Sequence, residues 1–437
     1  MRRYASTVMQ RVRAASDALR TSFFFLPAIA VVVGFLGARW LVGVEVGDWV
    51  GRSTVDSARA VLATTAAATI TFASITFSVS LLIMQQGSSQ FSPRVIHGLV
   101  RDPFNRRVIA VVVGTFTFCL VSLQRVRGPV AEGGEEVVPE LAVAVGLLLG
   151  VVAVLAVVAA INHTSRKMDV SVILGDIVEQ ATGMPTAPDT GDEVQATTQP
   201  NRSIPEGEPV TVVRFDADGW VRQLDRSGLL AVVDSGGIVR LEIDAGRYAV
   251  RSTPLCTIWP AVAEARVDEV TRSARHCVRL GPTRTMSEDA GYGVRQLVDV
   301  ALRALSPGIN DPTTAQDAIF HLGTVLVDRL SSSPVPTAYH DGNGRCLLAP
   351  HALTDEDLAQ LAVAELRRAG AGQPAVAVYL LQTIALVADA ARANDAGDRI
   401  APFVAQARLL LDNVDNADLI DHDRARVHQT YRTLFGH

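Results

Sequence analysis

Lysine is almost absent from this chain of 437 residues: Lys167 stands alone among 40 basic residues, so nearly every positive charge is an arginine. A GC-rich genome accounts for that bias. With a formal net charge of −5 and no basic stripe carrying interleaved aromatics, the composition argues against a nucleic-acid partner. Cysteine is scarce too. Cys119, Cys256, Cys277 and Cys346 show no metal-type spacing, and no CxxC pair occurs. A Walker-type phosphate loop, a GxSxG elbow and an HExxH helix are all missing. The 9 histidines are scattered; His422 and His428 do not share a helix face and read as part of an exposed charged helix. These absences lead us to expect no enzyme, no bound metal and no cofactor.

What the chain has in quantity is apolar sequence. Hydrophobic residues make up 49% of it, and the mean hydropathy of +0.25 is high for a soluble protein yet low for a pure membrane bundle. A membrane part joined to a soluble part fits both. Crossing a bilayer takes about 20 apolar residues. Four stretches meet or approach that length, at 23–44, 60–84, 108–123 and 141–161. A cleaved signal peptide competes for the first, but the charged segment before it is long and no small-x-small cleavage site follows.

Charge orients these spans. Arginines crowd the 1–22 tail (Arg2, Arg3, Arg11, Arg13, Arg20) and the second loop (Arg94, Arg101, Arg106, Arg107), and Arg166 with Lys167 follows the fourth span. The first and third loops mix few arginines with acids such as Glu45, Asp48, Glu135 and Glu136. The positive-inside rule then puts both termini in the cytoplasm of a multi-pass membrane protein with the lipid bilayer as its first partner. In the second loop, Ser92-Pro93 reads as a helix start, and Val95, Ile96, Leu99 and Val100 share one face, so a short interfacial helix is expected. It is either a structured turn or a collar below the second span.

That second span carries eight hydroxyls. Thr64, Thr71, Ser74 and Ser78 form one stripe; Thr65, Thr69, Thr76 and Ser80 form another, nearly opposite. Protein or water is therefore expected on both sides. The hydroxyls either bond back to their own helix in small-residue packing or line a pathway shared by several subunits. Spans two to four hold no Asp, Glu or Lys, which speaks against a proton-coupled pump.

After the membrane part, 162–209 reads as connector and flexible linker, rich in Pro, Thr, Gly and acids near its end. Residues 210–260 read as short strands with Gly-containing turns, a small β-rich half-barrel. The stretch GIVRLEIDAGRYAVRSTPLCTI resembles the hairpins of lipoyl-type barrels but lacks their modified lysine. From 261 the pattern is helical, with helices expected near 294–305, 313–330, 355–368, 375–394, 401–412 and 421–434 and a loop at 334–350. The fold class is thus an α-helical membrane protein of four transmembrane helices with a C-terminal cytoplasmic α+β region.

Two polar groupings stand out there. Arg284, Glu288, Asp289 and Arg295 gather near a helix start, and Arg295, Asp299 and Arg303 recur every four residues, so that ion pairing along the helix is expected. Ser306-Pro-Gly-Ile-Asn-Asp-Pro-Thr-Thr-Ala315 joins two helices. Gly308 can end one, and Asp311 with Pro312 can cap the next. Asn310, Asp311, Thr313 and Thr314 either cap the helix or bind a ligand or ion at its N-terminus.

TFSVSLLIMQQGSSQFSPRV (76–95), GPTRTMSEDAGYGVRQLVDVALRALSPGINDPTTA (281–315) and the hairpin ending in TPLCTI together resemble a family of bacterial membrane proteins catalogued as domain of unknown function 2254. The resemblance implies architecture and carries no activity. The leading expectation is a homo-oligomeric channel or transport-like protein for an unknown small ion or ligand, lined by the second span and gated by the cytoplasmic region. The alternative is a membrane-anchored sensor or scaffold that binds a ligand or partner near Asp311.

Overall fold

The computed structural model describes residues 25–42, 54–90, 103–128, 137–183, 194–198, 204–205 and 209–436. The interfacial helix expected around Ser92 lies outside them. The chain divides into two compact units, residues 1–172 and 173–437.

The first unit contains the helices α1 (Phe25–Leu41), α2 (Val55–Gln90), α3 (Pro103–Leu123) and α4 (Glu140–Lys167). Segments of α2 to α4 are long and apolar enough to cross a membrane, and they cover the second to fourth expected spans. The third span had been expected to be short; its helix starts at Pro103 and runs 21 residues, because Phe104, Asn105 and two arginines extend it by more than a turn. Over its described residues α1 is 17 residues long.

Small residues set the helix contacts. Gly34 of α1 and Gly114 of α3 meet backbone to backbone: a Cβ on Gly34 would sit 2.5 Å from the Gly114 carbonyl oxygen, and one on Gly114 would sit 3.1 Å from that of Ala30. Gly146 and Gly150 of α4 admit Leu62 and Thr65 of α2 in the same way. Where lipid tails are as apolar as leucine, such close approach supplies the dispersion contacts that hold helices together.

The second unit opens with α5 (Val170–Thr182) and β1 (Val194–Thr197). Next come β2 (Thr211–Arg214), β3 (Gly219–Leu224), α6 (Arg226–Leu230), β4 (Ile238–Leu241), β5 (Tyr248–Ala249) and β6 (Pro254–Trp259). Then follow α7 (Glu264–His276), β7 (Val278–Gly281), α8 (Ala290–Ala304) and α9 (Pro312–Ser331), and after them β8 (Ala338–Asp341) and β9 (Cys346–Leu348). The helices α10 (Asp355–Gly370), α11 (Pro374–Ala393), α12 (Ala401–Asp415) and α13 (Asp421–Phe435) complete it.

The strands form a six-stranded sheet, β1-β8-β9-β4-β6-β2, and a three-stranded sheet, β5-β3-β7. Every pairing is antiparallel except β4 with β9. Val213, Leu224, Leu229, Leu241, Leu255, Ile258, Tyr339 and Leu347 fill the core these sheets share with α6 and α7.

This corrects the half-barrel expected within 210–260. That segment does not close on itself: the larger sheet takes β1 from the stretch read as flexible linker and β8 and β9 from the stretch read as a loop. Val194↔Asp341 and Thr197↔Ala338 pair across the chain, where Pro- and Gly-rich surroundings hide strands of three or four residues from a periodicity argument.

The helices follow expectation more closely, since α9 to α12 each present a long apolar stripe at helical spacing. Among them, α11 is long and apolar enough to qualify as a span, yet its window is 61% buried, against 28–39% for α2 to α4. Protein from α9, α10, α12 and α13 covers it, so its apolar surface is that of a core helix.

Replacing Gly34 with Ile forces backbone atoms of α1 and α3 apart, whereas at Gly37 a side chain meets nothing within 4 Å. Gly34→Ile is expected to destabilise the purified protein by about 1–3 kcal/mol, seen as a lower thermal midpoint in detergent, while Gly37→Ile leaves the midpoint near wild type.

Candidate functional site

Beside the smaller sheet, the second unit has a solvent-open cavity of about 550 Å³. Its wall begins at the β4–β5 turn, where Asp244, Ala245, Gly246, Arg247 and Tyr248 line it. Trp220 comes from β3, Arg226 from α6, and Arg284, Ser287, Glu288, Asp289 and Gly291 from the approach to α8. Arg329 of α9, Tyr339 of β8 and His351, Leu353, Asp357 and Leu361 at and before α10 close it.

Arg226 is the centre of this wall. Only 6% exposed, it donates to Glu288 (2.9 Å) and to Asp244 (3.2 Å), and its guanidinium lies 5.6 Å from the centroid of the Tyr339 ring. Burial opposes its charge, but Asp244, Tyr339 and Glu288 outweigh that and hold its pKa above the ordinary arginine value. The Leu224 amide also donates to Glu288 (3.2 Å), tying the end of β3 to the same carboxylate.

Arg284 makes a second pair, donating to both oxygens of Asp289 at 2.5 and 3.1 Å. It stacks between aromatic rings, 5.1 Å from Tyr292 and 5.8 Å from Trp220. Burial pushes the Asp289 carboxyl up, and the pairing with Arg284 offsets only part of this. Gly246, at φ +80°, makes the contact feasible: a Cβ there would come within 2.1 Å of Asp289 Oδ2. Trp220 and Tyr248 meet edge to face at 5.5 Å and give the cavity an aromatic edge.

Arg329 differs from the other two. It is 5% exposed, its terminal nitrogen donates to the Ala181 carbonyl at 2.5 Å, and no salt bridge to it occurs among the described residues. Burial lowers its pKa, with Asp328 opposing weakly. Its Nε, like that of Arg226, is buried without a protein partner.

The expected polar cluster therefore comes apart. Arg284 and Asp289 lie on the cavity wall. Arg295 instead reaches Asp299 (2.6 Å) and Glu365 of α10 (2.6 Å), a bridge between α8 and α10. Asn310, Asp311, Thr313 and Thr314 occupy the turn from α8 into α9. Both Gly293, near the start of α8, and Arg329, near the end of α9, touch Ala181. The turn is thus at the far end of this helix pair, roughly 22 Å away at 1.5 Å per residue.

Capping explains that turn. Asp311 accepts from the Thr314 amide (3.1 Å) and hydroxyl (2.6 Å), Asn310 takes φ +48°, and its side chain accepts from Gln373 (3.3 Å). Thr313 is exposed. His428 likewise pairs locally, with Asp415 at 2.7 Å.

On α2 the two hydroxyl stripes meet different surroundings. Thr69 and Thr76 are buried and Thr65 and Ser80 half-buried, whereas Thr64, Thr71, Ser74 and Ser78 are exposed. The expectation of protein on both sides holds for one stripe only within this chain. Thr69, Thr71, Thr76 and Ser80 bond back to carbonyls three or four residues earlier, which satisfies those hydroxyls without a neighbour.

Arg329 had a legible signal that the sequence reading passed over: it falls on the buried stripe of α9 with Leu322, Val325 and Leu326. Arg226 and Asp244 had none, since contacts across 18 to 62 residues bring their partners together.

The Thr314 hydroxyl and amide hold the Asp311 carboxyl below the usual aspartate range. A depressed acid stabilises the fold above its unfolded pKa and loses that contribution as pH falls through its folded pKa. Asp311→Ala is therefore expected to cost about 1 kcal/mol at neutral pH, measured by thermal unfolding. The gap to wild type should narrow on acidification below the usual aspartate range.

Comparison with known proteins agrees with this architecture. An uncharacterized protein of Mycobacterium tuberculosis H37Rv is 29% identical over 399 residues, covering 88% of this chain and 75% of its own length. An uncharacterized protein of Mycobacterium bovis matches to the same extent. No solved structure matches. The profile of the family described as predicted membrane protein (DUF2254) matches residues 20–386, and the chain belongs to that family of membrane proteins of unknown function.

Proposed function

We propose that this protein is a membrane-anchored small-molecule sensor whose second unit binds its ligand in the Arg226–Arg329 cavity. One observation carries the reading: a solvent-open pocket of about 550 Å³, within the usual range of ligand pockets, lined by aromatic rings and by arginines buried to 5–6% exposure. Surface ion-pair networks do not need a cavity, and a folding core does not need charge in one. The reading is non-enzymatic, since Asp244, Glu288 and Asp289 are held in ion pairs with Arg226 and Arg284 and Asp357 caps its own helix.

The alternation of arginine-rich segments supports placing both termini and the second unit in the cytoplasm, in a bacterial inner membrane. A second reading draws on the exposed hydroxyl stripe of α2, Thr64, Thr71, Ser74 and Ser78. In a homo-oligomer that stripe would line a shared pathway. Flux through the pure protein in liposomes supports this reading, and its absence removes it.

Two measurements test the proposal. A green fluorescent protein fused after His437 is expected to fluoresce and an alkaline phosphatase fusion to stay inactive; the opposite pattern reverses the orientation. In a thermal-shift screen of the full chain in nanodiscs, at least one small metabolite should raise the melting midpoint, and Trp220→Ala should lose that response. A screen in which nothing binds, or in which Trp220→Ala responds like wild type, contradicts the cavity reading.

A further inference from the structure

The ion pairs around the cavity do not take up all of its charged groups. Asp244 and Glu288 are taken by Arg226, and Asp289 is taken by Arg284. Asp357 turns to the start of its own helix, accepting from the Thr354 amide and hydroxyl at 3.2 and 2.7 Å. Arg329 and Arg247 are left with no carboxylate partner among the described residues. Arg247 is exposed and Arg329 is buried, yet both line the same cavity.

A buried guanidinium without a counter-charge is costly, and a chain gains stability by replacing it with an apolar side chain unless something binds there. The C-termini of α5 and α9, near Ala181 and Arg329 itself, contribute partial negative charge. That explains how the cation is tolerated; it leaves a full positive charge at the wall and the Arg329 Nε unused.

We infer that the cavity recognises a soluble small molecule bearing a phosphate group, which Arg329 and Arg247 hold. This rests on the sensor reading and names the chemistry of its ligand. Guanidinium is the side chain suited to the role. It stays charged when buried, and its planar fork offers two parallel N–H donors to two phosphate oxygens. With Arg226 and Arg284 already committed to carboxylates, Arg329 and Arg247 are the guanidinium groups of the lining left for an anion. The Trp220–Tyr248 edge is left for the remainder of the molecule.

The test uses the full chain in phosphatidylcholine nanodiscs, titrated calorimetrically with inorganic pyrophosphate. Binding by wild type is expected, weakened about tenfold or more in Arg329→Gln and in Arg247→Gln, as for loss of a charged hydrogen bond. Arg247 is exposed, so its variant keeps the test valid if Arg329→Gln fails to fold. Arg329→Met is expected to melt no lower than wild type without ligand, as a purely structural Arg329 would not allow. Unchanged affinity in Arg247→Gln and in folded Arg329→Gln overturns the assignment. So does a screen in which uncharged compounds bind through Trp220 while pyrophosphate does not; there the sensor reading survives. If neither class binds, both fall. Repeating the titration with phosphatidylglycerol in the discs separates the sources: unchanged affinity supports a soluble phosphate, and competition by the lipid overturns that part of the assignment.

Discussion

The second unit depends on one buried charge. Arg226 begins a five-residue helix immediately after β3, and its side chain reaches the β4–β5 turn through Asp244, the approach to α8 through Glu288 and β8 through the face of Tyr339. Those elements come from both sheets and from the helical layer. Taking a guanidinium to 6% exposure requires its carboxylates to follow it, because an uncompensated buried ion costs several kcal/mol. The ion pairs therefore do more than add stability. They fix where the turn and the approach to α8 stand, and the cavity is the space those segments leave between them.

The part of the fold that sequence made legible is the part written in local periodicity. Spans two to four are runs without Asp, Glu or Lys, and α9 to α12 repeat apolar residues at helical spacing, so each could be placed within a few residues. The sheet could not. β1, β8 and β9 have three or four residues each, β1 meets β8 and β4 meets β9 across more than a hundred positions, and nothing near Val194 announces a partner at Asp341. The density of polar residues in Ser306–Ala315 drew attention for a local reason, since a tight helix–helix turn needs caps at both ends, while the ligand-sized space is assembled elsewhere. Arg329 was within reach of the sequence: a charge at the centre of an apolar stripe is a conflict between local pattern and burial, and such conflicts gather at functional sites.

The first unit follows a different rule. Its helices approach through Gly34, Gly114, Gly146 and Gly150, and Thr69, Thr71, Thr76, Ser80, Thr115 and Thr117 bond back to carbonyls of their own helices. The outward hydroxyl stripe of α2 remains uncovered within the chain. The two units are therefore built on separate physics, ion pairing in the second and close approach at glycines in the first.

Hydrogen exchange on the full chain in nanodiscs, comparing wild type with Arg226→Gln, tests the organising role of Arg226 most directly. The account predicts faster exchange confined to residues 242–249 and 284–292, with α11 protected as in wild type. Unchanged exchange in those two segments, or equal acceleration through α11, would contradict it.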